Sequence, residues 1–300
     1  MMRRNTLRLC FIGFGEAGQA LAAGLAENGL DGIAAWDILF PGPDGKKLRA
    51  AGAAIGVRLA ASAQDAVRGS DMIVSAVTAA SSLEAAQSVE PHLDGQVFLD
   101  INSVSPGRKQ ETAKHLAGAT RYVDVAVMAP VHPARHRTPM LLAGPHAEAI
   151  EPLLKELGMN ATFAGPAIGA AAAIKMVRSV MVKGLEALTY ECFVAAARAG
   201  VTDQVMASLA KSFPGLDWSK TIAYNLERMA HHGARRAAEM EEVADTLREL
   251  GLEPLMALAT AQRQRHMAAV GKDEKVLGTM DQGAAALLDA ISAAARERDQ

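Results

Sequence analysis

Along the first 165 residues, short apolar runs alternate with longer stretches of helical spacing; after that only the helical pattern continues. "LRLCFIGFG", "IAAWD", "DMIVSAV", "GQVFLDINS" and "RYVDVAVMA" are nearly continuous apolar runs, as expected of strands covered on both faces. Between them, "EAGQALAAGLAENG", "SLEAAQSVEPHL" and "PGRKQETAKHLAG" place apolar residues three and four apart. This alternation predicts parallel βαβ units, hence an α/β Rossmann-type doubly wound parallel sheet. "EAIEPLLKELG" and "NATFAGPA" close the first half. Residues 166–199 then form one helical pattern without a breaker, about 45–50 Å long if continuous. "DQVMASLAKSF", "DWSKTIAYNLERMAHHGARRAAEMEEVADTLRELG", "EPLMALATAQRQRHMAAVG" and "GAAALLDAISAAARERD" extend it. The expected division is an α/β domain over residues 1–164 and an all-α C-terminal domain over residues 165–300.

Composition narrows the function classes. Half of the chain is apolar and aromatics are scarce, which suits tightly packed helices and a buried sheet. A formal charge of −2 leaves no basic footprint for nucleic acid and no reason to expect a membrane surface. Cys10 and Cys192 are too few for a disulfide framework, and their apolar neighbours predict two buried thiols in a reducing cytoplasm. "MMRRNTLRLCFIGFGEAGQALAAGLA" has the basic start and apolar run of an export signal. Glu16 and Gln19 interrupt the run, however, and its glycines have a better use. No window reaches the roughly 18–20 uninterrupted apolar residues of a membrane span.

That better use is "GFGEAG": Gly13, Phe14, Gly15, Glu16, Ala17 and Gly18, a G-x-G-x-x-G that follows a strand and opens a helix. Gly13 permits a tight turn, Gly15 close approach of a pyrophosphate, and Gly18 close packing of helix on strand. The free N–H groups and dipole of the helix start favour the anion. Asp37 follows Gly18 by 19 residues, at the end of the second strand. An acid there accepts hydrogen bonds from a ribose and repels a 2′-phosphate, which predicts NAD rather than NADP.

"AIKMVRSVMVKGLEAL", residues 173–188, places Lys175, Arg178, Ser179, Lys183 and Glu186 in one stripe of an otherwise apolar helix. Two readings stand. The stripe is the solvated side of an amphipathic helix, with Lys183 and Glu186 as an i,i+3 pair. Or its start faces an active-site cleft, where Lys175 exchanges a proton.

With the glycine loop, the two-part layout and Lys175 together, the chain resembles the β-hydroxyacid dehydrogenases, the family of 3-hydroxyisobutyrate and 6-phosphogluconate dehydrogenases. "FIGFGEAGQALAAGL" and "WDILFPGPDGKKLRAAG" look like that family's cofactor half. "LDINSVSP" looks like its D-x-S-T-x-S-P segment, which lies along the nicotinamide. The resemblance implies cofactor contacts from Asn102 and Ser103, and from Val77 at the end of the preceding strand. "GPAIGAAAAIKMVRS" is similar to the segment with a glycine six residues before the catalytic lysine, which makes Lys175 the general acid/base. "KMVRSVMVKGLEALTYE" and "HHGARRAAEMEE" look most like the branch with a phosphogluconate-dehydrogenase-like C-terminal domain. Implied is an NAD(P)-dependent oxidoreductase that moves a hydride between nicotinamide and the hydroxyl carbon of a small 3-hydroxy acid.

The chain also departs from the family. Met128, Ala129 and Pro130 stand where the substrate turn usually has Ser-Gly-Gly, and Ser179 stands where an Asn follows the lysine. A lysine usual in the late helices is replaced within "HHGARR". Arg178 and Lys183 are cations within two turns of Lys175, placed to lower its pKa. For the substrate's acid group, "HPARHR" offers His132, Arg135, His136 and Arg137; a solvated basic loop is the plainer reading. His231, His232, Arg235 and Arg236 form a second basic cluster, with His232 and Arg235 as candidate substrate contacts. Adjacent histidines point apart and lack an acidic partner at ligand spacing, so no metal site is expected. An imine reductase of related architecture and a non-catalytic dinucleotide-binding protein are the rival readings. The apolar face of the long helix predicts a homodimer or higher homo-oligomer.

Overall fold

The computed structural model describes residues 7–299; residues 1–6, the basic start of the export-like segment, lie outside them. Two compact units, residues 1–176 and 177–300, divide within one helix.

In the first unit, β1 (Leu9–Ile12), β2 (Ile33–Trp36), β3 (Arg58–Leu59), β4 (Met72–Ser75), β5 (Val97–Asp100), β6 (Arg121–Val127), β7 (Met140–Ala143) and β8 (Ala161–Gly165) form a single sheet. Its order is β3-β2-β1-β4-β5-β6-β7-β8. The connecting helices are α1 (Glu16–Glu27), α2 (Lys46–Ala54), α3 (Ala63–Val67), α4 (Ser82–Val89), α5 (Pro106–His115) and α6 (Ala147–Glu156). Alternate strand residues serve opposite faces. Leu9, Phe11, Met72, Val74, Leu99 and Val123 pack with Leu21 and Leu25 of α1. Cys10, Ile73, Phe98 and Tyr122 pack with Val67, Val89 and Leu116. Burial pushes the Cys10 thiol up to about 12.

The sheet is not parallel throughout. β7 pairs antiparallel with β6, Val125 opposite Leu142, and β8 then runs parallel to β7. The reason lies in residues 128–139, which contain three prolines and only a short 3-10 turn at Arg135–Arg137. A parallel return needs a crossover, usually a full helix, and this segment has none.

α7 (Ala170–Ala199) begins in the first unit and continues into the second, where α8 (Thr202–Ser212), α9 (Trp218–Glu249), α10 (Leu255–Val270), α11 (Glu274–Leu277) and α12 (Ala284–Asp299) follow. Phe193, Leu226, Met229, Met267, Leu287 and Ile291 centre this helical core. The expectation that the charged stripe of α7 faces water holds at Arg178 and fails at Ser179, Lys183 and Glu186. Ser179, Lys183 and Glu186 are buried, whereas Val177, Met181, Leu185 and Leu188 are exposed. Lys183 pairs with Glu239 of α9 at 2.9 Å, not with Glu186. Glu186 takes a two-pronged contact from Arg236 of α9 and a hydrogen bond from Gln264 of α10. Partners on other helices make this the inner face. Cys192 lies on the outer face and is exposed, against the expectation of two buried thiols.

Candidate active site

The parallel strands β1, β2, β4, β5 and β6 all end at one edge of the sheet, and most of the predicted site residues follow those ends. Gly13 has φ +89, and a Cβ there would stand 2.4 Å from the carbonyl oxygen of Ala76; no side chain fits. A Cβ on Gly18 would lie 2.7 Å from the Gly13 carbonyl oxygen, so this glycine sets the packing of α1 on the loop. Gly15 differs. Nothing lies within 4 Å of a Cβ placed on it, and it opens α1 without a side-chain cap. Open space before an uncapped helix start fits a pyrophosphate. Glu16 and Ala17 form the first turn of α1, and the Phe14 ring is buried in the core, leaving its backbone at the loop. The Asp37 carboxylate accepts the Phe14 N–H at 2.7 Å and the Leu39 N–H at 2.9 Å. It therefore braces the glycine loop while retaining lone pairs for a ribose.

Asn102 is 4 % exposed and its side chain is engaged on all sides. Its carbonyl accepts the Val77 N–H at 2.7 Å, and its amide donates to Ser75 at 2.9 Å and Ser82 at 3.1 Å. It ties the loop after β4 to the end of β5. Ser103 is half-buried, and its hydroxyl accepts a hydrogen bond from Lys175 Nζ at 2.5 Å. Residues 72 positions apart meet here. The glycine six residues before the lysine has its own reason. Gly169 has φ +95, and a Cβ would stand 3.1 Å from Pro106.

Behind Ser103 lies a polar cluster that the motifs did not disclose. Lys109, Asp100 and Asp124 are all 1 % exposed or less. Lys109 Nζ lies 2.9 Å from Asp100 and 3.6 Å from Asp124, and Tyr122 donates to Asp100 at 2.7 Å. Burial pushes Asp124 up from the usual carboxylate range, opposed by Lys109 and by two backbone N–H groups. Burial and the adjacent Asp100 charge raise Tyr122 well above its ordinary value. The legible signal was an Asp inside each of two apolar strands, "VFLD" and "RYVDVAV".

Met128, Ala129 and Pro130 follow β6 at the same sheet edge, with Ala129 and Pro130 exposed. Arg135 lies against α1 and pairs with Glu27. Its Cβ sits 3.0 Å from one built on Gly24, about 13 Å along the helix from Gly15. His136, beside it, is buried and held below its ordinary pKa by desolvation and by Arg137. Arg178 is exposed. In the second unit Ser179 accepts a hydrogen bond from Lys183 at 3.2 Å, and Arg235 pairs with Glu239 on the surface. His232 is half-buried on α9, beside exposed His231. Among the described residues no cluster of His, Cys, Asp and Glu side chains is arranged to hold a metal, and no helix is long and apolar enough to cross a membrane.

Comparison with known proteins accords with this geometry. Residues 8–104 match the family "NADP oxidoreductase coenzyme F420-dependent", and residues 196–267 a domain of unknown function, DUF1932. A conserved hypothetical protein of Sinorhizobium meliloti is 37% identical, with a TM-score of 0.77 over 96% of this chain and 97% of the other. A conserved protein described as structurally similar to 3-hydroxyacid dehydrogenases is 28% identical, with a TM-score of 0.69 over 89% and 100%. An NAD-dependent L-serine dehydrogenase of Pseudomonas aeruginosa is 28% identical over 228 residues, 73% of each chain. The chain belongs to the β-hydroxyacid dehydrogenase family. The chain carries Met-Ala-Pro after β6 and a buried ionic stripe along α7.

Proposed function

We propose that the protein transfers a hydride between the nicotinamide of NAD and the hydroxyl-bearing carbon of a small hydroxy acid, with Lys175 as general acid/base. That it is an NAD(P)-dependent dehydrogenase or reductase acting on CH–OH follows from its family; the class of acid, the choice of NAD and the role of Lys175 are the proposal. The observation that carries it is the 2.5 Å contact of Lys175 with Ser103, at the sheet edge that also bears the glycine loop. Bound NAD supplies the carbon that accepts or returns the hydride. Gly13, Gly15 and Gly18 with the start of α1 hold the pyrophosphate, and Asp37 the ribose. Lys175 takes the hydroxyl proton as the hydride leaves and returns it in the reverse direction, and Ser103 orients the amine by accepting its hydrogen bond. The Met-Ala-Pro turn borders the substrate in place of Ser-Gly-Gly, which favours a less polar acid than the family's sugar acids.

The exposed residues Val177, Met181, Leu185 and Leu188 follow one another at spacings of four, four and three along α7. A second copy of the chain covers this face in a homodimer.

The test is turnover with NAD and a panel of 3-hydroxy acids, L-serine, sugar acids and a cyclic imine, read by reduced-nicotinamide absorbance. Lys175→Ala is expected to lose about 100- to 10,000-fold in kcat with little change in dinucleotide affinity. Undiminished turnover in that variant, or turnover of the imine alone, would replace this reading.

A further inference from the structure

The start of α7 lacks a cap of its own. The preceding Gly-Pro-Ala-Ile-Gly offers no Ser, Thr, Asp or Asn, although the first N–H groups of a helix need acceptors. Instead Asp124 reaches up from β6. Its Oδ2 accepts the N–H of Gly169 and of Ala172, each at 3.1 Å. Ala172 stands three residues before Lys175, on the turn that carries it.

Asp124 also stands in register with Asp100, the last residue of β5. Two carboxylates side by side in a dry interior repel, and one takes up a proton unless a cation intervenes. Lys109, from α5, supplies that cation and donates to the Asp100 carbonyl oxygen at 2.6 Å as well. Asp100 in turn accepts the Asn102 N–H at 3.0 Å, immediately before Ser103. One buried cluster thus holds both partners of the Lys175–Ser103 contact: Ser103 through Asp100 and Asn102, and Lys175 through Asp124 and the helix start.

We propose that Asp124 and Lys109 are positioning residues for Lys175: Asp124 fixes the start of α7, Lys109 keeps Asp124 and Asp100 together, and the acid/base amine is thereby aimed at Ser103. The inference rests on the role given to Lys175 above, and its test has a readout that does not need turnover. Lys175 is methylated with formaldehyde and cyanoborohydride, and the rate at its peptide is compared by mass spectrometry with that of exposed Lys155.

In Asp124→Ala, the relative rate at Lys175 is expected to change at least about threefold and kcat to fall about 10- to 100-fold, while the dinucleotide Kd stays within about twofold. Asp124→Asn keeps an oxygen for the two N–H groups and is expected to retain most of kcat and the wild-type methylation rate. Lys109→Met behaves like Asp124→Ala. Lys109→Met/Asp124→Asn, which removes both charges and keeps the acceptor, recovers at least about tenfold over Lys109→Met, the coupling expected of groups in contact. Unchanged methylation in folded Asp124→Ala would overturn the proposal, as would an Asn variant as impaired as the Ala variant. So would kcat and Kd falling in parallel. If a single variant fails to fold, Asp124→Asn and the double variant still decide, because wild-type methylation is required of both. A wild-type protein without turnover removes the dehydrogenase reading and leaves the methylation comparison standing.

Discussion

Among the described residues, two buried ionic clusters are balanced differently. In the first unit Asp100 and Asp124 share one cation, Lys109, and the backbone N–H groups at the start of α7 supply the remaining positive potential. In the second unit the cations are all side chains: Lys183 and Arg235 pair with Glu239 and Arg236 with Glu186, which also accepts from Gln264. A cluster balanced by its own side chains holds helices together and nothing more is needed to explain it. A cluster balanced by a helix end ties charge to the placement of that helix, and this helix carries Lys175 one turn later. Burying charges is costly in both places, so each cluster must be complete to be tolerated.

Breaking the balanced cluster is expected to have the largest effect on stability. Arg236→Ala leaves Glu186 buried without its cation and should cost about 3–5 kcal/mol in urea unfolding. Glu186→Leu/Arg236→Met, which removes the pair entirely, should lie within about 1–2 kcal/mol of the wild type. A double variant as unstable as Arg236→Ala would mean that the pair is more than a scaffold.

The opposite face of the same helix gives the next effect. Met181→Asp introduces a charge into the exposed apolar row and should weaken self-association by at least about 2 kcal/mol, seen as monomer in sedimentation at concentrations where the wild type is dimeric. A monomeric wild type would remove the second copy from this face.

The smallest effect sharpens the contrast through pH. The Asp124 carboxyl is raised above its unfolded value by burial, so the folded state binds the extra proton and its stability falls as pH rises through the interval between the two values. Asp124→Asn has no such term and should gain on the wild type as pH rises through that interval, above the ordinary carboxylate range. Lys183 is lowered, chiefly by burial, so the unfolded state binds the extra proton and stability rises with pH on the alkaline side. Parallel pH curves for Asp124→Asn and wild type would mean that Lys109 and the helix start fully compensate the carboxylate.

Much of this was legible in the residues. The strand runs, the glycine loop and the long helices appear where the apolar periodicity placed them, because period and turn chemistry are local properties. Gly13 and Gly18 leave no room for a side chain, as their spacing implied; that Asp37 also braces the glycine loop was not read from the sequence. β7 was not read from the sequence: it is four residues long, and its direction depends on what residues 128–139 lack. Asn102 was recognised by its motif; only the positions of Ser75, Val77 and Ser82 show that it also braces the loop after β4.

The amino-acid order alone determined the βαβ alternation and the place of the dinucleotide loop, which rest on spacing within a few tens of residues; the candidacy of Lys175 came from the family resemblance. Tertiary structure decided which face of α7 is inside. A helical wheel cannot tell a solvated charge from one neutralised by a partner 50 residues away, such as Arg236 for Glu186. It also decided that Asp124, 45 residues before Gly169, caps the helix that carries Lys175. Such pairs form only when the chain has brought distant segments into a dry interior, where an uncompensated charge is too costly to remain alone.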